Sequence, residues 1–327
     1  MDWTGRSVLV TGAAGFIGSH VAEALVRAGA DVRAFVRYTS GGSWGWLDES
    51  DLRGDMQVFA GDIRDPETLV EPMRDVEVVF HLAALIAIPY SYVTPLAYVR
   101  TNVEGTTNVL EAARTAGVGR VVHTSTSEVY GTAQSVPIAE THPLVGQSPY
   151  SASKIGADKI AESFHAAFEL PVVVLRPFNT FGPRQSARAV IPTIITQLLA
   201  GQTVQLGALT PTRDLTFAPD TADGFLLAGS APDAAGQTIN LGVGQEISIG
   251  DLAARIHALM DKPYDVGHDS QRDRPPASEV ERLLSDNARA RELLGWEPRH
   301  TLDEGLEATI EWLSRHLDRY RPGTYQV

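Results

Sequence analysis

The chain has 327 residues, no cysteine, and a formal net charge of -13 from 27 basic and 40 acidic side chains. This charge repels nucleic-acid phosphates and anionic lipid headgroups, and the missing cysteines exclude disulfides and thiolate metal sites. The longest apolar stretch, residues 76–90, is broken by His81 and Pro89 and is too short to cross a bilayer. Residues 1–6 are polar, so no signal peptide is expected. We therefore expect a cytoplasmic globular protein with no metal site, no nucleic-acid partner and no membrane contact.

Short β-branched runs alternate with amphipathic helical patterns in the first half of the chain. Strands are predicted at residues 7–11, 32–36, 57–59, 77–81, 120–124 and 172–175. Helices are predicted at residues 16–28, 66–73, 95–116 and 149–168. This alternation is typical of parallel strands with helices on both faces. After Arg176 the pattern changes, and we predict a helix at 190–200, strands at 203–206 and 238–241, and two late helices.

These elements predict an α/β fold, a Rossmann-type doubly wound parallel sheet with a smaller C-terminal α/β lid. The predicted dinucleotide-binding domain covers residues 1–176, with a returning segment at about 215–245. The predicted substrate-binding domain covers residues 177–214 and 246–327. Open α/β sheets bind ligands at the carboxyl edge of their strands, so the lid is expected to cover that edge. The polar, Pro-rich segment 271–278 is predicted to be a loop.

Three glycines stand between the first predicted strand and the first predicted helix, in the sequence SVLVTGAAGFIGS. Gly12 permits a tight turn, Gly15 lets the backbone approach a pyrophosphate, and Gly18 lets the helix pack close to the strand. The helix N-terminus then offers unpaired N–H groups to the pyrophosphate. A glycine-rich turn without a ligand is the alternative, but the strand before it and the helix after it favour dinucleotide binding.

The spacing G-x-x-G-x-x-G resembles the short-chain dehydrogenase/reductase superfamily, which implies NAD or NADP as the cofactor. The second strand ends at Arg37 without an acid to bind the ribose hydroxyls. Arg37 would attract a 2′-phosphate, so NADP is favoured, while NAD stays open. The resemblance places Asp62 and Ile63 at the adenine. The predicted cofactor contacts are Gly12, Gly15, Phe16, Ile17, Gly18, Arg37, Asp62, Ile63, Leu82, Ala83, Ala84, Tyr150 and Lys154.

Tyr150 and Lys154 form the pattern Y-x-x-x-K. Residues four apart share one helix face, so the ammonium can lie beside the phenol and lower its pKa from near 10. Tyr150 is therefore a candidate general base. An ordinary exposed Tyr and Lys on one helix turn is the alternative. The sequence Thr126-Ser127-Glu128 at the end of the preceding strand favours the catalytic interpretation.

Several motifs in order along nearly the whole chain resemble extended short-chain dehydrogenase/reductases of the nucleotide-sugar epimerase/dehydratase family. They are TGAAGFIGSH, GDIRD, FHLAA, NVEGTTNVLEAA, HTSTSEVYG, SPYSASK, LRPFNTFGPR, RD and LLGW. Other segments, such as GQSPYSASKIGAD and LGALTPTRD, are most similar to GDP-N-acetylglucosamine 4,6-dehydratases of the legionaminic-acid-pathway type. The resemblance implies a nucleotide-diphosphate hexose or N-acetylhexosamine as substrate. It also implies a homodimer packed through helices 95–116 and 149–168.

The resemblance further implies the mechanism of a 4,6-dehydratase. Tyr150, assisted by Thr126, takes the proton from the sugar C4 hydroxyl while the C4 hydride passes to the cofactor. Glu128 removes the C5 proton that the 4-ketone acidifies, water leaves from C6, and the hydride returns to C6. The predicted catalytic residues are Thr126, Glu128, Tyr150 and Lys154.

Substrate contacts are implied in the same way. Asn179, Arg213 and Arg274 match family residues at the diphosphate, and guanidinium forks suit phosphate oxygens. Surface arginines paired with carboxylates are the alternative. The loop 85–92 is expected to line the sugar pocket, and His81 is expected to be a packing residue. The predicted substrate contacts are Tyr90, Ser91, Ser127, Asn179, Arg184, Arg213 and Arg274.

Other functions stay open at this stage. In the dTDP-glucose dehydratase pattern an Asp stands at the position of Ser127 and protonates the leaving hydroxyl. Here Glu128 itself or a bound water is the acid for that hydroxyl. The Thr-Ser-Glu sequence also resembles UDP-glucuronate decarboxylases, and a C4 epimerase is a further alternative on the same fold. A non-catalytic dinucleotide-binding scaffold is the alternative from another class. The presence of all four predicted catalytic residues argues against it.

Overall fold

The computed structural model describes residues 2–324, so Met1 and residues 325–327 of the two predicted domains lie outside the described part. The strands are β1 Ser7–Thr11, β2 Asp31–Arg37, β3 Met56–Gly61, β4 Val78–His81, β5 Arg120–Thr124, β6 Val172–Pro177, β7 Asn179–Phe181, β8 Val204–Leu206, β9 Thr212–Phe217, β10 Thr238–Leu241, β11 Glu246–Ser248 and β12 Val266–His268. Seven of them form one parallel sheet in the order β10-β6-β5-β4-β1-β2-β3. This confirms the predicted α/β fold class.

Helices cover both faces of this sheet. They are α1 Phe16–Arg27, α2 Val70–Met73, α3 Ile88–Val93, α4 Pro95–Tyr98, α5 Gly105–Thr115, α6 Pro149–Phe168, α7 Val190–Leu199, α8 Ala218–Ser230, α9 Ile249–Leu259 and α10 Leu302–Arg315. None of the helices within residues 2–324 combines the length and apolar character that a membrane span requires.

Alternation along β1 shows why both faces are covered. Val8 and Val10 pack into one hydrophobic core with α1 and α8, whereas Leu9 between them packs into a second core with α5 and α6. Successive side chains of a strand point to opposite faces, so a strand that is apolar at every position is buried on both sides. Because β1, β4 and β5 are parallel, their carboxyl ends meet at one edge of the sheet, where the predicted site residues lie.

A separate core lies in the C-terminal part of the chain. It contains side chains from α7, α9 and α10 together with two small sheets, β11-β9-β7 and β12-β8. The segment between β9 and β11 returns to the large sheet, because β10 pairs with β6 and α8 packs against α1. The division into two domains stays a prediction. Trp312 of α10 contacts Trp46 in the turn after β2, with ring centroids 5.3 Å apart.

Several sequence predictions need correction. The predicted helix at 95–116 is divided into α4, a wider π turn at Val99–Glu104, and α5. In this turn the buried Asn102 side chain bonds the backbone of Leu85 and the hydroxyl of Ser153. Residues 88–92 of the predicted loop at 85–92 belong to the short helix α3, which ends at Val93. The predicted helix at 66–73 starts as a 3-10 turn, Pro66–Leu69. Helix α8 was missed because it is buried on most sides and has no polar stripe.

Candidate active site

The glycine turn joins β1 to α1 at the carboxyl edge of the sheet. Gly12 has φ +73°, and a Cβ there would lie 2.7 Å from the Ala83 backbone nitrogen. Gly15 is the N-cap of α1, and no side chain caps that helix. The first-turn N–H groups, near Phe16 and Ile17, are thus free of side-chain acceptors and suit a pyrophosphate. The turn therefore fits the phosphate part of a dinucleotide.

The segment after β4 runs directly beside this turn. The Ala83 N–H donates to Thr11 Oγ1 at 3.2 Å, and Leu82 N donates to Thr11 O at 3.1 Å. His81 is 2% exposed and bonds Thr11 Oγ1 and Thr106 Oγ1 at 2.8 and 3.0 Å. Burial lowers the pKa of His81 well below its usual value. His81 is thus the packing residue that the sequence predicted, and residues 82–84 lie along the glycine turn.

The expected adenine end of the cleft lies at the ends of β2 and β3. Arg37 is exposed, and its charge helps to lower the pKa of the Asp62 carboxyl. The larger cause of that shift is hydrogen bonding from Arg64, whose Nε and Nη2 donate to Asp62 Oδ1 and Oδ2 at 2.9 and 2.5 Å. Ile63 is buried beneath Gly105, and its carbonyl accepts from Asn108. The structure brings these predicted residues together but leaves the choice between NAD and NADP open.

Helix α6 carries the Tyr-Lys pair into the site. Ser148 caps this helix and forms a capping box with Ser151, which starts the helix immediately before Tyr150. Tyr150 and Lys154 are 7% and 4% exposed, one turn apart on the buried face. Burial raises the pKa of Tyr150, and a hydrogen bond with the Thr126 side chain opposes that rise. Burial lowers the pKa of Lys154 to about 8.

A one-turn 3-10 helix after β5 presents the predicted acid. Thr126 is its N-cap and accepts from the Glu128 N–H at 3.3 Å, while Ser127 is 2% exposed. Glu128 is 8% exposed. Its negative charge adds to the rise in the pKa of Tyr150, so the carboxylate lies within electrostatic reach of the phenol. The structure therefore gathers all four predicted catalytic side chains at the ends of β5 and the start of α6.

Behind the Tyr-Lys pair lies a buried polar network that the sequence analysis missed. Asp158 is 0% exposed and accepts from Ser125 Oγ at 2.6 Å, from His123 Nε2 at 3.2 Å and from Arg176 at 3.1 Å. Asp158 stands four residues after Lys154 on α6, and its charge raises the pKa of that lysine against the effect of burial. The four-residue spacing was the available signal, because it places both side chains on one helix face.

Two predicted arginines lie close to two carboxylates. Arg213 Nη2 donates to Glu279 Oε1 at 3.3 Å. Arg274 Nη1 lies 3.7 Å from the same oxygen and 3.9 Å from Glu128 Oε2. Burial lowers the pKa of Arg213, whereas the charges of Glu128 and Glu279 raise it. The sequence analysis missed Glu279, which follows Arg274 in an irregular segment without a periodic pattern.

The other predicted substrate contacts are placed in different ways. The Asn179 Oδ1 atom at the start of β7 is buried and has no hydrogen-bond partner within the described residues. Arg184 instead pairs with Glu23 of α1 at 2.8 Å. Ser91 is fully buried, and its hydroxyl donates to Ile88 O at 2.6 Å. The Asn179 oxygen is an acceptor and cannot bond phosphate oxygens itself, whereas Arg184 pairs with Glu23 through Nη2 and has a buried Nη1 without a partner among the described residues.

Aromatic rings line the side of the site formed by α3 and α4. Tyr90 is 40% exposed and lies 6.3 Å from Tyr98, whose ring meets that of Tyr150 edge-on at 6.2 Å. Tyr98 was missed by the sequence analysis. Across the cleft, Tyr92 Oη bonds Ser278 Oγ at 2.5 Å, which ties α3 to the segment that carries Arg274. These contacts join both sides of the expected sugar pocket.

Comparison with known proteins identifies the family. A model described as GDP-mannose 4,6 dehydratase matches residues 9–309. A UDP-glucose 4-epimerase from Mycolicibacterium smegmatis is 36% identical, over 93% of this chain and 97% of its own. A dTDP-glucose 4,6-dehydratase from Streptomyces antibioticus is 35% identical, over 94% and 92% of the two chains.

Solved structures give the same result. A dTDP-glucose 4,6-dehydratase from Streptomyces venezuelae, with NAD bound, matches at TM-score 0.89 and 32% identity, covering 96% of this chain and 99% of that one. A UDP-N-acetylglucosamine 4-epimerase from Methanobrevibacter ruminantium matches at TM-score 0.87 and 28% identity, with coverage of 96% and 99%. The chain therefore belongs to the NAD-dependent nucleotide-sugar 4,6-dehydratase and 4-epimerase family of extended short-chain dehydrogenase/reductases, which confirms the resemblance at that level.

Proposed function

We propose that this enzyme is a nucleotide-sugar 4,6-dehydratase, which converts a nucleotide-diphosphate hexose or N-acetylhexosamine to the 4-keto-6-deoxy sugar. One observation carries the proposal: Glu128 is 8% exposed on the one-turn helix that Thr126 caps, where its N–H donates to Thr126 Oγ1 at 3.3 Å, and its charge raises the pKa of Tyr150. C4 oxidation needs only the phenol and its partners. A carboxylate beside them adds a base for the neighbouring C5 proton, which dehydration requires and epimerisation at C4 does not.

In the proposed reaction Tyr150 acts at C4, and Glu128 acts first as a base at C5 and then as an acid at C6. Tyr150, whose pKa the nearby Thr126 side chain lowers against the effect of burial, accepts the proton from the C4 hydroxyl. Glu128 accepts the C5 proton once C4 is a ketone. Ser127 offers no acidic proton, so the protonated Glu128 is the acid that this turn presents to the leaving C6 hydroxyl. The overall change is loss of one water, and no external oxidant is consumed.

The glycine turn and Lys154 would hold the cofactor, with residues 82–84 along its length. When bound, the nicotinamide supplies the oxidising equivalent for C4 and the reducing equivalent for C6. The solved dehydratase from Streptomyces venezuelae holds NAD, whereas Arg37 and the missing acid at the end of β2 favour NADP here. Mass spectrometry of the nucleotide released on denaturation distinguishes the two, because NADP carries one more phosphate.

A C4 epimerase is the second candidate, favoured by the epimerase from Mycolicibacterium smegmatis at 36% identity. In that case Thr126, Tyr150 and Lys154 keep their tasks and Glu128 has none. A UDP-glucuronate decarboxylase uses the same C4 oxidation, followed by loss of carbon dioxide.

The homodimer also belongs to this proposal. Leu96, Val99 and Phe168 are 57%, 49% and 52% exposed on the two helical segments expected to pack across it. Exposed apolar side chains on neighbouring helices support association. The cytoplasmic location and the closer similarity to legionaminic-acid-pathway enzymes stay predictions.

The test is product analysis in deuterated water. The protein is incubated with GDP-, UDP-, CDP- and dTDP-linked hexoses, N-acetylhexosamines and glucuronates, and products are identified by mass spectrometry. Loss of one water with deuterium at C5 is the expected result and names the substrate. An unchanged mass with a new isomer means an epimerase, and loss of carbon dioxide means a decarboxylase.

A further inference from the structure

The segment 274–279 brings an unassigned carboxylate into the cleft. Its backbone is fixed to the dinucleotide-binding side by Gln147 Nε2, which donates to Ala277 O and Glu279 O at 3.2 and 3.1 Å. Thr132 Oγ1 donates to the same Glu279 carbonyl at 3.3 Å. Ser278 bonds Tyr92 across the cleft. The position of the Glu279 side chain is therefore set by contacts on several sides.

The charges in this part of the cleft alternate. Glu128, Arg274, Glu279 and Arg213 follow one another at 3.9, 3.7 and 3.3 Å. The exposed fractions of these side chains are 10%, 25%, 16% and 9% in the same order. A buried guanidinium without a counter-ion is costly, so Glu279 stabilises both arginines when no other anion is near.

The same arrangement opposes ligand binding. Two arginines and two carboxylates have no net charge, so together they offer no attraction to a ligand with a doubly charged diphosphate. Withdrawal of the Glu279 carboxylate leaves a net positive charge at this place. Arg274 also has a vacant donor, because its buried Nη1 has no hydrogen-bond partner among the described residues. Glu279 Oε1 lies 3.3 Å from Arg213 Nη2 and 3.7 Å from Arg274 Nη1, the place that a phosphate oxygen bridging both guanidinium groups would take.

We infer that Glu279 is a displaceable counter-ion, whose carboxylate occupies the diphosphate position between Arg213 and Arg274 and is displaced by the substrate. This rests on the proposed role of the two arginines in binding the substrate diphosphate. Displacement transfers both guanidinium groups from a carboxylate to phosphate oxygens. It also frees Arg274 from its position between the two carboxylates, so binding of the diphosphate changes the charge beside Glu128.

The test is isothermal titration calorimetry with UDP, GDP, CDP and dTDP, which involves no chemical step. In Glu279→Gln, the competing charge is gone while an amide of the same shape remains. The nucleoside diphosphate that binds wild type most tightly should bind the variant about tenfold more tightly, which corresponds to about 1.4 kcal/mol. Glu279→Ala should show the same direction of change and serves if the amide variant does not fold.

Glu281→Gln is the matched control. Glu281 is exposed, two residues further along the same segment, so this change removes an equal charge without touching the arginines. Its dissociation constant should equal that of wild type. Weaker or unchanged binding in Glu279→Gln overturns the inference, as does an equal gain in both variants. Failure of wild type to bind any of the four diphosphates also overturns it.

The outcome is independent of the reaction type. A protein that epimerises its substrate can still gain affinity for the diphosphate in Glu279→Gln, and then only the proposed dehydratase function fails. A dehydratase whose diphosphate affinity does not change contradicts only the role of Glu279. If Glu279 instead holds a sugar hydroxyl or amide, the variant raises KM for the sugar nucleotide and leaves the affinity for free diphosphate unchanged.

Discussion

Burial shifts the pKa values of the two side chains of the Tyr-Lys pair in opposite directions. It raises the pKa of Tyr150 and lowers that of Lys154, so in both cases it favours the neutral form. The Thr126 side chain opposes this effect at the phenol, and the Asp158 charge opposes it at the ammonium. A neutral phenol cannot accept the C4 proton and a neutral amine does not stabilise the phenolate, so these two neighbours matter for catalysis.

Replacement of the proposed C5 base separates dehydration from simple C4 oxidation. In Glu128→Gln we expect the dehydration rate to fall by about 10²–10⁴-fold, the range that a positioned general base contributes. Bound nucleotide should be retained, since Glu128 lies outside the glycine turn. Steady-state assays of 4-keto-6-deoxy sugar formation measure the rate, and absorbance of the released nucleotide measures the content. A variant with the rate of wild type would exclude Glu128 as the base.

Asp158 is expected to act through the neighbouring lysine. The pKa of Lys154 is about 8, so kcat/KM should fall as the pH rises through that value and the ammonium loses its proton. The Asp158 charge raises this pKa, so Asp158→Asn should move the alkaline limb of the pH profile to lower pH. Ser125→Ala, which removes one hydrogen bond but keeps the carboxylate charge, should leave the limb in place. Equal profiles for all three proteins would assign Asp158 a structural role only.

At the scale of elements, the junction of β1 and α1 has little room for a side chain. A Cβ at Gly12 would approach Ala83 N to 2.7 Å, whereas one at Gly5 would meet nothing within 4 Å. Both residues have positive φ, +73° and +70°. In Gly12→Ala we expect overpacking to cost about 1–3 kcal/mol beyond the strain of about 1–2 kcal/mol that both variants share.

The Gly12 variant should also lose bound nucleotide, because the end of β4 must move away from the turn. Gly5→Ala is the control with the same backbone strain and should keep its nucleotide. Denaturant unfolding and the nucleotide content of the purified proteins measure the two effects. If purified Gly12→Ala contains as much bound nucleotide as wild type, the turn tolerates a wider separation from residues 82–84.

Elements with a clear periodic pattern could be predicted from the sequence. β1, β5, β10 and α6 have the predicted bounds, because an apolar run or an amphipathic face ends there at a cap or turn residue. Helix α8 and the strands β7, β9, β11 and β12 could not be predicted, since their burial depends on the folded surroundings, whereas β8 lies within the predicted strand 203–206. At the site, the Tyr-Lys pair follows from local spacing. Glu279 does not, because its partner Arg213 is 66 residues away.

At the scale of the molecule, Arg184 links the C-terminal part of the chain to the nucleotide-binding helix. It has φ +71°, and its pair with Glu23 joins the segment after β7 to α1, with side chains 15% and 7% exposed. In Arg184→Met we expect unfolding free energy to fall by about 1–3 kcal/mol, because the buried Glu23 carboxylate loses its buried partner and keeps only the more exposed Arg27 at 3.3 Å. KM for the sugar nucleotide should change little.

Arg188→Met is the control for this change, since Arg188 is exposed in the same segment and its loss should alter stability by less than about 0.5 kcal/mol. Chemical denaturation and steady-state kinetics are measured on both variants. A large rise in KM without loss of stability in Arg184→Met would restore the prediction from sequence that Arg184 contacts the substrate.

The contact between Trp46 and Trp312 gives the protein a built-in optical signal. One ring follows the nucleotide-binding strand β2, and the other belongs to the last helix, stacked on His316 at 4.1 Å. Indole fluorescence responds to ring contact and to a nearby charge. Trp3 and Trp296 are 1% exposed in the core and provide a constant background, and Trp44, half-buried under Arg53, adds its own emission beside Trp46. A shift of α10 against the turn after β2 would therefore change the fluorescence emission of the unlabelled protein. Ligand titrations that move α10 can then be followed by the wavelength and intensity of that emission.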